Sequence, residues 1–298
     1  MHRQCMAVRF LCAFLLLFAT SPDARAQQSR RIFISVDMEG ISGIGTSNLT
    51  SATGKDYATG RRLMTDEVNA VVSAILATGP AEIVINDSHG DMQNLLHTEL
   101  DPRTTYIQGA IKPLGMVEGL DATFDAAIFL GYHARAGTPR GFLAHTGSGR
   151  VKGLWINGIE AGEGEMNAAY AGSVGVPVIL AAGDSAFTAQ FTENVPAATV
   201  VTKTAVTPQS ARLRHPRQVQ DELATTTRRA LATLERARPW DVRGSIEVRI
   251  RFDEVTRPQI LEAIPGVRQV DGYTVEFTAP DMGAAYRLIR LMYRFVTI

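Results

Sequence analysis

From Arg31 onward, short β-branched apolar runs alternate with longer stretches whose apolar positions recur at helical spacing. Ile32 to Asp37 reads as a strand, Tyr57 to Thr78 as a helix and Glu82 to Asn86 as the next strand. That rhythm predicts βαβ units around a parallel or mixed sheet, because parallel neighbours need a crossover long enough to hold a helix. Further strands are expected at Thr105 to Gln108, Ala126 to Gly131, Gly153 to Asn157, Val176 to Ala181 and Thr199 to Lys203, with a helix from about Gly162 to Val174. Pro208 to Arg238 alternates charge with Ala and Leu and reads as a helix-rich stretch with a solvated face. After Pro239 the pattern changes to a strand at Ser245 to Arg251, a helix near Pro258 to Ala263, a strand at Tyr273 to Phe277 and a helix from Met282 to Phe295. The expected fold class is α/β: a mixed or parallel sheet flanked by helices over residues 27–240, with a smaller α+β lobe of βαβα order over residues 241–298.

Residues 1–26 stand apart from this pattern. Arg3 and Arg9 precede the apolar run Phe10 to Phe18, and Ala24-Arg25-Ala26 offers small residues at a cleavage position, so the segment reads as a secretory signal and the protein as exported, periplasmic or secreted. The run is much shorter than the ~20 apolar residues that span a bilayer, which argues against stable membrane insertion. Both cysteines, Cys5 and Cys12, lie inside it, and no lipobox precedes Cys12, so a metal in the mature chain would rely on His, Asp and Glu. The 298 residues are 45% hydrophobic, enough for a sizeable core. The 30 basic and 30 acidic residues become 27 and 29 once Arg3, Arg9, Arg25 and Asp23 are removed, a balance that excludes nucleic acid as the main partner and favours a small substrate.

Parallel sheets bind ligands beyond the carboxyl ends of their strands, and the polar clusters fall there. Asp37 and Glu39, in Ser35-Val36-Asp37-Met38-Glu39-Gly40, are two apart on one strand end and can reach one point in space. Two carboxylates brought together there need a cation or solvent, and the local pattern alone leaves a metal site and a polar turn equally open. His89, in Asn86-Asp87-Ser88-His89-Gly90, follows the next strand, with Asp87 placed to orient it or to cap a helix. His133 follows the run Ala127 to Leu130, and His145 comes twelve residues later on a loop long enough to fold back over a site. Glu163 and Glu165 open a helix, where acidic residues are favoured whatever the function. Together Asp37, Glu39, His89, His133 and Glu163 form an oxygen and nitrogen donor set typical of Zn or Mn, large enough for two ions sharing a carboxylate. His97, read as a helix-surface residue, and His215, before Pro216 at a helix break, look structural.

The stretches SVDMEGISG, NDSHG, MVEGLDATFDAAIFLGYHARAGTP and INGIEAGEGEMNAAYAG, with VPVILAAGD after them, resemble in matching order the DppA-type D-aminopeptidases, a metallopeptidase family marked by an SxDxEG signature. The resemblance implies a dinuclear zinc aminopeptidase, a large ring-like homo-oligomer, acting on short peptides to release N-terminal D-amino acids, D-alanine especially. It places the metal ligands on Asp37, Glu39, His89, His133 and Glu163 and the catalytic histidine on His145, in a loop one residue longer here at Arg140. On that reading Asp37 and Glu163 bridge two zinc ions, His145 is a general acid/base or a stabiliser of the tetrahedral intermediate, and Glu165 is a candidate partner for the peptide's amino group. The signal segment departs from the family's cytoplasmic members, and Thr146 to Arg150 does not match its pattern. Carboxylate and imidazole donors also serve dimetal phosphoesterases and amidases, and an exported metal-stabilised binding protein would carry a similar set.

Overall fold

The computed structural model describes residues 29–295; the segment read as a signal, residues 1–26, lies outside them. In chain order the first half contains β1 (Arg30–Val36), α1 (Tyr57–Leu76), β2 (Ala81–Asp87), β3 (Thr105–Ile107), β4 (Ala126–Tyr132), β5 (Val151–Ile156) and β6 (Ile159–Glu160). The second half contains α2 (Glu163–Ser173), β7 (Val178–Asp184), α3 (Ser185–Asn194), β8 (Ala198–Thr207), β9 (Ser210–Leu213), α4 (Pro216–Ala232), β10 (Ile246–Phe252), α5 (Thr256–Leu261), β11 (Arg268–Asp271), β12 (Thr274–Ala279) and α6 (Met282–Phe295).

Seven strands form the larger sheet in the order β3-β2-β1-β4-β7-β8-β9, all parallel except the edge strand β9. β1, β4 and β7 are buried along nearly their whole length, as strands covered on both faces must be. Alternation along these strands separates two cores. Ile32, Ile34 and Val36 of β1 and Ile128 and Leu130 of β4 face Met64, Val68, Val71, Val72 and Ile75 of α1 and Val219 and Leu223 of α4. Phe33 and Phe129, pointing the other way, join Met166 of α2, Phe187 and Phe191 of α3 and Tyr286 and Ile289 of α6.

The second sheet is antiparallel, in the order β11-β12-β10-β5-β6. β5, expected among the strands of the α/β region, pairs instead with β10, Leu154 opposite Ile250 and Ile156 opposite Val248. A period-two pattern identifies a strand without naming its neighbour. The sheet is thus assembled from two distant stretches of chain, and its inward side chains Leu154, Val248, Ile250 and Phe277 share one core with α2 and α6.

Three local expectations differ from what forms. The stretch beginning at Pro208 opens as the short edge strand β9, whose hairpin with β8 overrides its helical composition, and α4 begins only at Pro216. His215 caps that helix, its side chain accepting from Arg217 N. His97 lies on a turn and stacks on Tyr106 with ring centroids 5.9 Å apart. Among the described residues no helix is long and apolar enough to cross a membrane.

Candidate metal centre

The order of the larger sheet reverses around β1: the chain runs outward through β2 and β3, then returns to β4 on the other flank. A crevice beyond the strand ends at such a reversal is the usual ligand site of an open parallel sheet. Here the two chain ends meet closely, Asp37 N donating to Leu130 O at 2.8 Å and Gly40 N to Gly131 O at 2.7 Å. A Cβ on Gly40 would stand 2.0 Å from the Tyr132 carbonyl oxygen, and one on Gly131, whose φ is +69°, 2.1 Å from that of Asp37. Neither position admits a side chain, which gives the glycine of the SxDxEG stretch a packing role.

Beyond these ends, all six residues singled out in the sequence come together. His89 Nδ1 lies 3.2 Å from Asp37 Oδ1 and 3.0 Å from Glu39 Oε2. His133 Nε2 lies 3.4 Å from Asp37 Oδ2 and 3.5 Å from Glu163 Oε2. The loop after β4 folds back so that His145 stacks on His133 at 4.1 Å between ring centroids, with its Nε2 3.6 Å from Glu163 Oε1. Arg140, in that loop, adopts a backbone conformation with φ of 59°. Asp37 turns one oxygen to His89 and the other to His133, whereas Glu163 meets His133, His145 and Gly147 N but not His89, so Asp37 is the carboxylate placed to be shared.

Backbone carbonyls fix which nitrogen each imidazole presents. An oxygen acceptor requires N–H, so Thr50 O, 2.9 Å from His89 Nε2, leaves the Nδ1 lone pair directed at two carboxylates. Ala134 O, 3.0 Å from His133 Nδ1, and Leu143 O, 2.9 Å from His145 Nδ1, leave the Nε2 lone pairs of both facing the cluster. Ala134 is itself anchored, its N–H donating to Asp184 at 3.2 Å, and the same carboxylate caps α3. Asp87 does not touch His89. Its carboxylate accepts from the N–H groups of Asn94 and Leu95 and from the Asn94 amide, which donates in turn to the His89 carbonyl. Glu67 accepts from Ser42 N and the buried Lys203 donates to the carbonyls of Glu39 and Ile44, pinning the turn that carries Glu39. Ser35, the first residue of the signature, is 2.6 Å from Tyr132 Oη and 2.8 Å from Ser88 Oγ, and the chain continues through Asn167 to Tyr286 of α6.

Glu165 belongs elsewhere. It accepts from Gly162 N at 2.8 Å, closing the cap of α2, and does not line the cavity over the cluster. Asp184, Thr50, Lys203 and Glu67 were not anticipated as supports. Asp184 stands at the end of β7 and met the same strand-end criterion that flagged Asp37, whereas Thr50 acts through a backbone carbonyl that no side-chain pattern reveals.

Burial, and then the Glu39 carboxylate, push Asp37 up to about 8. Burial also opposes ionisation of Glu39 and Glu163, but His89 beside the first and His133 and His145 beside the second outweigh it and hold both carboxyls down. The same pairs act on the imidazoles: burial works against charge on His89 and His133, and the surrounding carboxylates raise both well above the ordinary value. The cluster demands positive charge at its centre.

A divalent ion fits that demand. Asp37 Oδ2 and His133 Nε2 are buried with no hydrogen-bond partner among the described residues, each aimed at the other's side of the cluster. Atoms bound tetrahedrally at ~2.1 Å around zinc stand about 3.4 Å apart, close to the 3.4 and 3.5 Å separating His133 Nε2 from Asp37 and Glu163. Three residue sets have donor atoms within 4.8 Å of one another: Asp37, Glu39 and His89; Asp37, His133 and Glu163; and Glu39, His133 and His145. Over them lies a cavity of about 110 Å³, bounded also by Ser88, Met92, Met116, Gly147 and the α6 residues Arg290, Tyr293 and Arg294. A larger cleft of about 860 Å³ on the second sheet is lined by Trp155, Arg249, Arg268 and Glu276, whose charges pair with one another, and lies apart from the six residues.

Residues 30–291 match the family model described as D-aminopeptidase. The chain belongs to the D-aminopeptidase family. Within that family it is 34% identical over 264 residues to the D-aminopeptidase of Bacillus subtilis (strain 168), covering 88% of this chain and 96% of the relative. Its fold matches the solved structure of the "Zn-dependent D-aminopeptidase DppA from Bacillus subtilis, a self-compartmentalizing protease" with a TM-score of 0.86, over 90% of this chain and 98% of that one, at 34% identity. As a member of the D-aminopeptidase family the chain is a peptidase.

Proposed function

We propose that the protein is a zinc-dependent aminopeptidase that removes N-terminal D-amino acids, of the D-alanine type, from short peptides. The observation that carries this reading is the pair of buried donor sets meeting at Asp37, with an unpartnered carboxylate oxygen and an unpartnered imidazole nitrogen inside. Asp37, Glu39 and His89 would hold one ion, and Asp37, His133 and Glu163 a second. Bound zinc would supply Lewis acidity, acidifying water and polarising the scissile carbonyl.

The protein's own groups supply positioning and proton transfer. His145 is the most accessible of the six, its side chain 30% exposed. With Nδ1–H held by Leu143 O, its Nε2 takes a proton from the attacking water and delivers it to the departing amine, so bond formation at the carbonyl carbon and release of the amino group proceed with no net proton change. Gly147 N, donating to Glu163 Oε1 at 2.5 Å, ties the loop that carries His145 to the second donor set.

The self-compartmentalizing character of the Bacillus relative supports assembly of this chain as a homo-oligomer, and the N-terminal sequence pattern supports export. The test of the peptidase reading is metal analysis of the mature protein together with a panel of D- and L-aminoacyl dipeptides and a phosphodiester. Zinc near two per subunit with hydrolysis of the D-peptides is expected; hydrolysis of L-peptides alone would remove the D-specificity, and turnover of the phosphodiester alone would remove the peptidase assignment. Cell fractionation that found full-length chain in the cytoplasm would overturn export.

A further inference from the structure

We propose that Arg294, on the last turn of α6, recognises the free carboxylate of a short peptide whose amino end lies at the donor cluster. The inference rests on the peptidase reading above and names what that reading leaves open, the group that holds the far end of the substrate.

Helix α6 is fixed over the cluster by three contacts. Tyr286 Oη donates to Asn167 of α2 at 2.7 Å, and the Arg290 guanidinium donates to the carbonyls of Lys112 at 2.5 Å and Pro113 at 3.3 Å. Tyr293 packs so tightly on the loop that bonds Glu163 that a Cβ on Gly147 would stand 2.6 Å from its ring. Spacing of three and four residues puts Arg290, Tyr293 and Arg294 on one side of the helix, and all three border the cavity.

The two arginines differ in what they touch. Arg290 is 5% exposed and spends its N–H groups on the carbonyl oxygens of Lys112 and Pro113 and on the Tyr293 hydroxyl. Arg294 is half-buried at the cavity and, among the described residues, has no hydrogen-bond or ion-pair partner. The rim of the cavity therefore carries two guanidinium charges, one of them with all its donors available, above a floor built to place cations among carboxylates.

A dipeptide with a free carboxylate matches this arrangement end for end. Its amino-terminal carbonyl belongs at the floor, and its carboxylate, an acceptor suited to a guanidinium fork, belongs at the rim. A volume of about 110 Å³ limits what fits between them. A last-turn arginine also suits the helix dipole without any ligand, and the test separates the two roles.

The experiment compares D-Ala-D-Ala with its C-terminal amide on zinc-loaded wild type, Arg294→Gln and Arg294→Lys. Wild type should favour the acid in kcat/KM by roughly tenfold to a hundredfold, the scale of a charge-assisted hydrogen bond. In Arg294→Gln the acid-to-amide ratio should collapse toward one, through KM, and Arg294→Lys should restore part of it. A wild-type ratio near one, or an Arg294→Gln defect equal for both substrates, overturns the inference and leaves the peptidase reading standing. If wild type hydrolyses neither substrate, the peptidase reading is what fails. Calorimetric binding of the same pair then decides the Arg294 role: acid-selective binding lost in Arg294→Gln supports it, and equal binding of acid and amide sinks it.

Discussion

The two donor sets that meet at Asp37 are built differently. Asp37, Glu39 and His89 come from the ends of adjacent parallel strands, and His89 Nδ1 sits 3.0 and 3.2 Å from the two carboxylates, inside hydrogen-bonding distance. Asp37, His133 and Glu163 are assembled from two strand ends and a helix start, with separations of 3.4 and 3.5 Å and two atoms left unpartnered. The first set can close on itself with a shared proton; the second is spaced for something between its members. The supports follow the same division. Glu67, Lys203 and Asp87 brace the backbone of the first set, and Asp184, through Ala134, braces His133 of the second.

Removing the shared carboxylate should erase the distinction. Asp37→Asn is expected to lower zinc content in both sets and to reduce kcat/KM beyond the ~100-fold that loss of an outer-shell partner brings. Zinc retained at the wild-type level would mean Asp37 is not common to the two sets. His145→Ala should separate chemistry from metal holding: kcat falls by about 10²- to 10⁴-fold, as for a general acid/base, while zinc content stays near wild type. Loss of zinc as well would make His145 a ligand, a role its place in the set with Glu39 and His133 allows.

Much of this centre could be read along the chain, for one physical reason. Asp37 closes its apolar run directly and His89 and His133 follow theirs within four residues, and in a parallel sheet such positions share one edge, so strand ends found one by one are brought together. Glu39 follows from Asp37 by period two. Glu163 and Glu165 could not be told apart that way, since both open α2; the close turn at Gly162 engages one and leaves the other facing His133. The placement of β5 beside β10, and with it α6 over the cavity, depends on pairings across most of the chain, and no local pattern encodes them. The sheet-forming tendency of Val151–Ile156 was legible, and its partner was not.

The pH dependence of zinc binding should follow from the imidazoles. Sign matters here: His89 and His133 are raised above their usual value by neighbouring carboxylates. In chelator-treated protein their contribution to stability is complete below the unfolded value of ~6.5 and is lost as pH rises through the higher folded values. Zinc must displace those protons, so the increase in Tm on adding zinc should grow with pH and shrink toward pH ~5. Calorimetry in buffers of different ionisation enthalpy should show protons released on binding. An increment independent of pH, with no proton release, would place zinc away from these histidines.

Glu67 offers the smallest effect and the finest test of the support beneath the first set. It is fully buried on α1, its Oε1 accepts from Ser42 N at 2.7 Å, and burial pushes it up to about 7 against the Ser42 hydrogen bond and the nearby Lys203. Because the folded value exceeds the ordinary 4.5, the stability it contributes is complete below the ordinary value and is lost as pH rises through about 7. Glu67→Gln keeps an oxygen for Ser42 N but cannot ionise. Its Tm relative to wild type should therefore be more favourable at pH about 8 than at about 5, by a few degrees for a domain of this size, while zinc content holds. Melting curves that differ by a constant offset across that range would show that Glu67 stays protonated or stays paired throughout, and would move the pH-sensitive support of the Glu39 turn to Lys203.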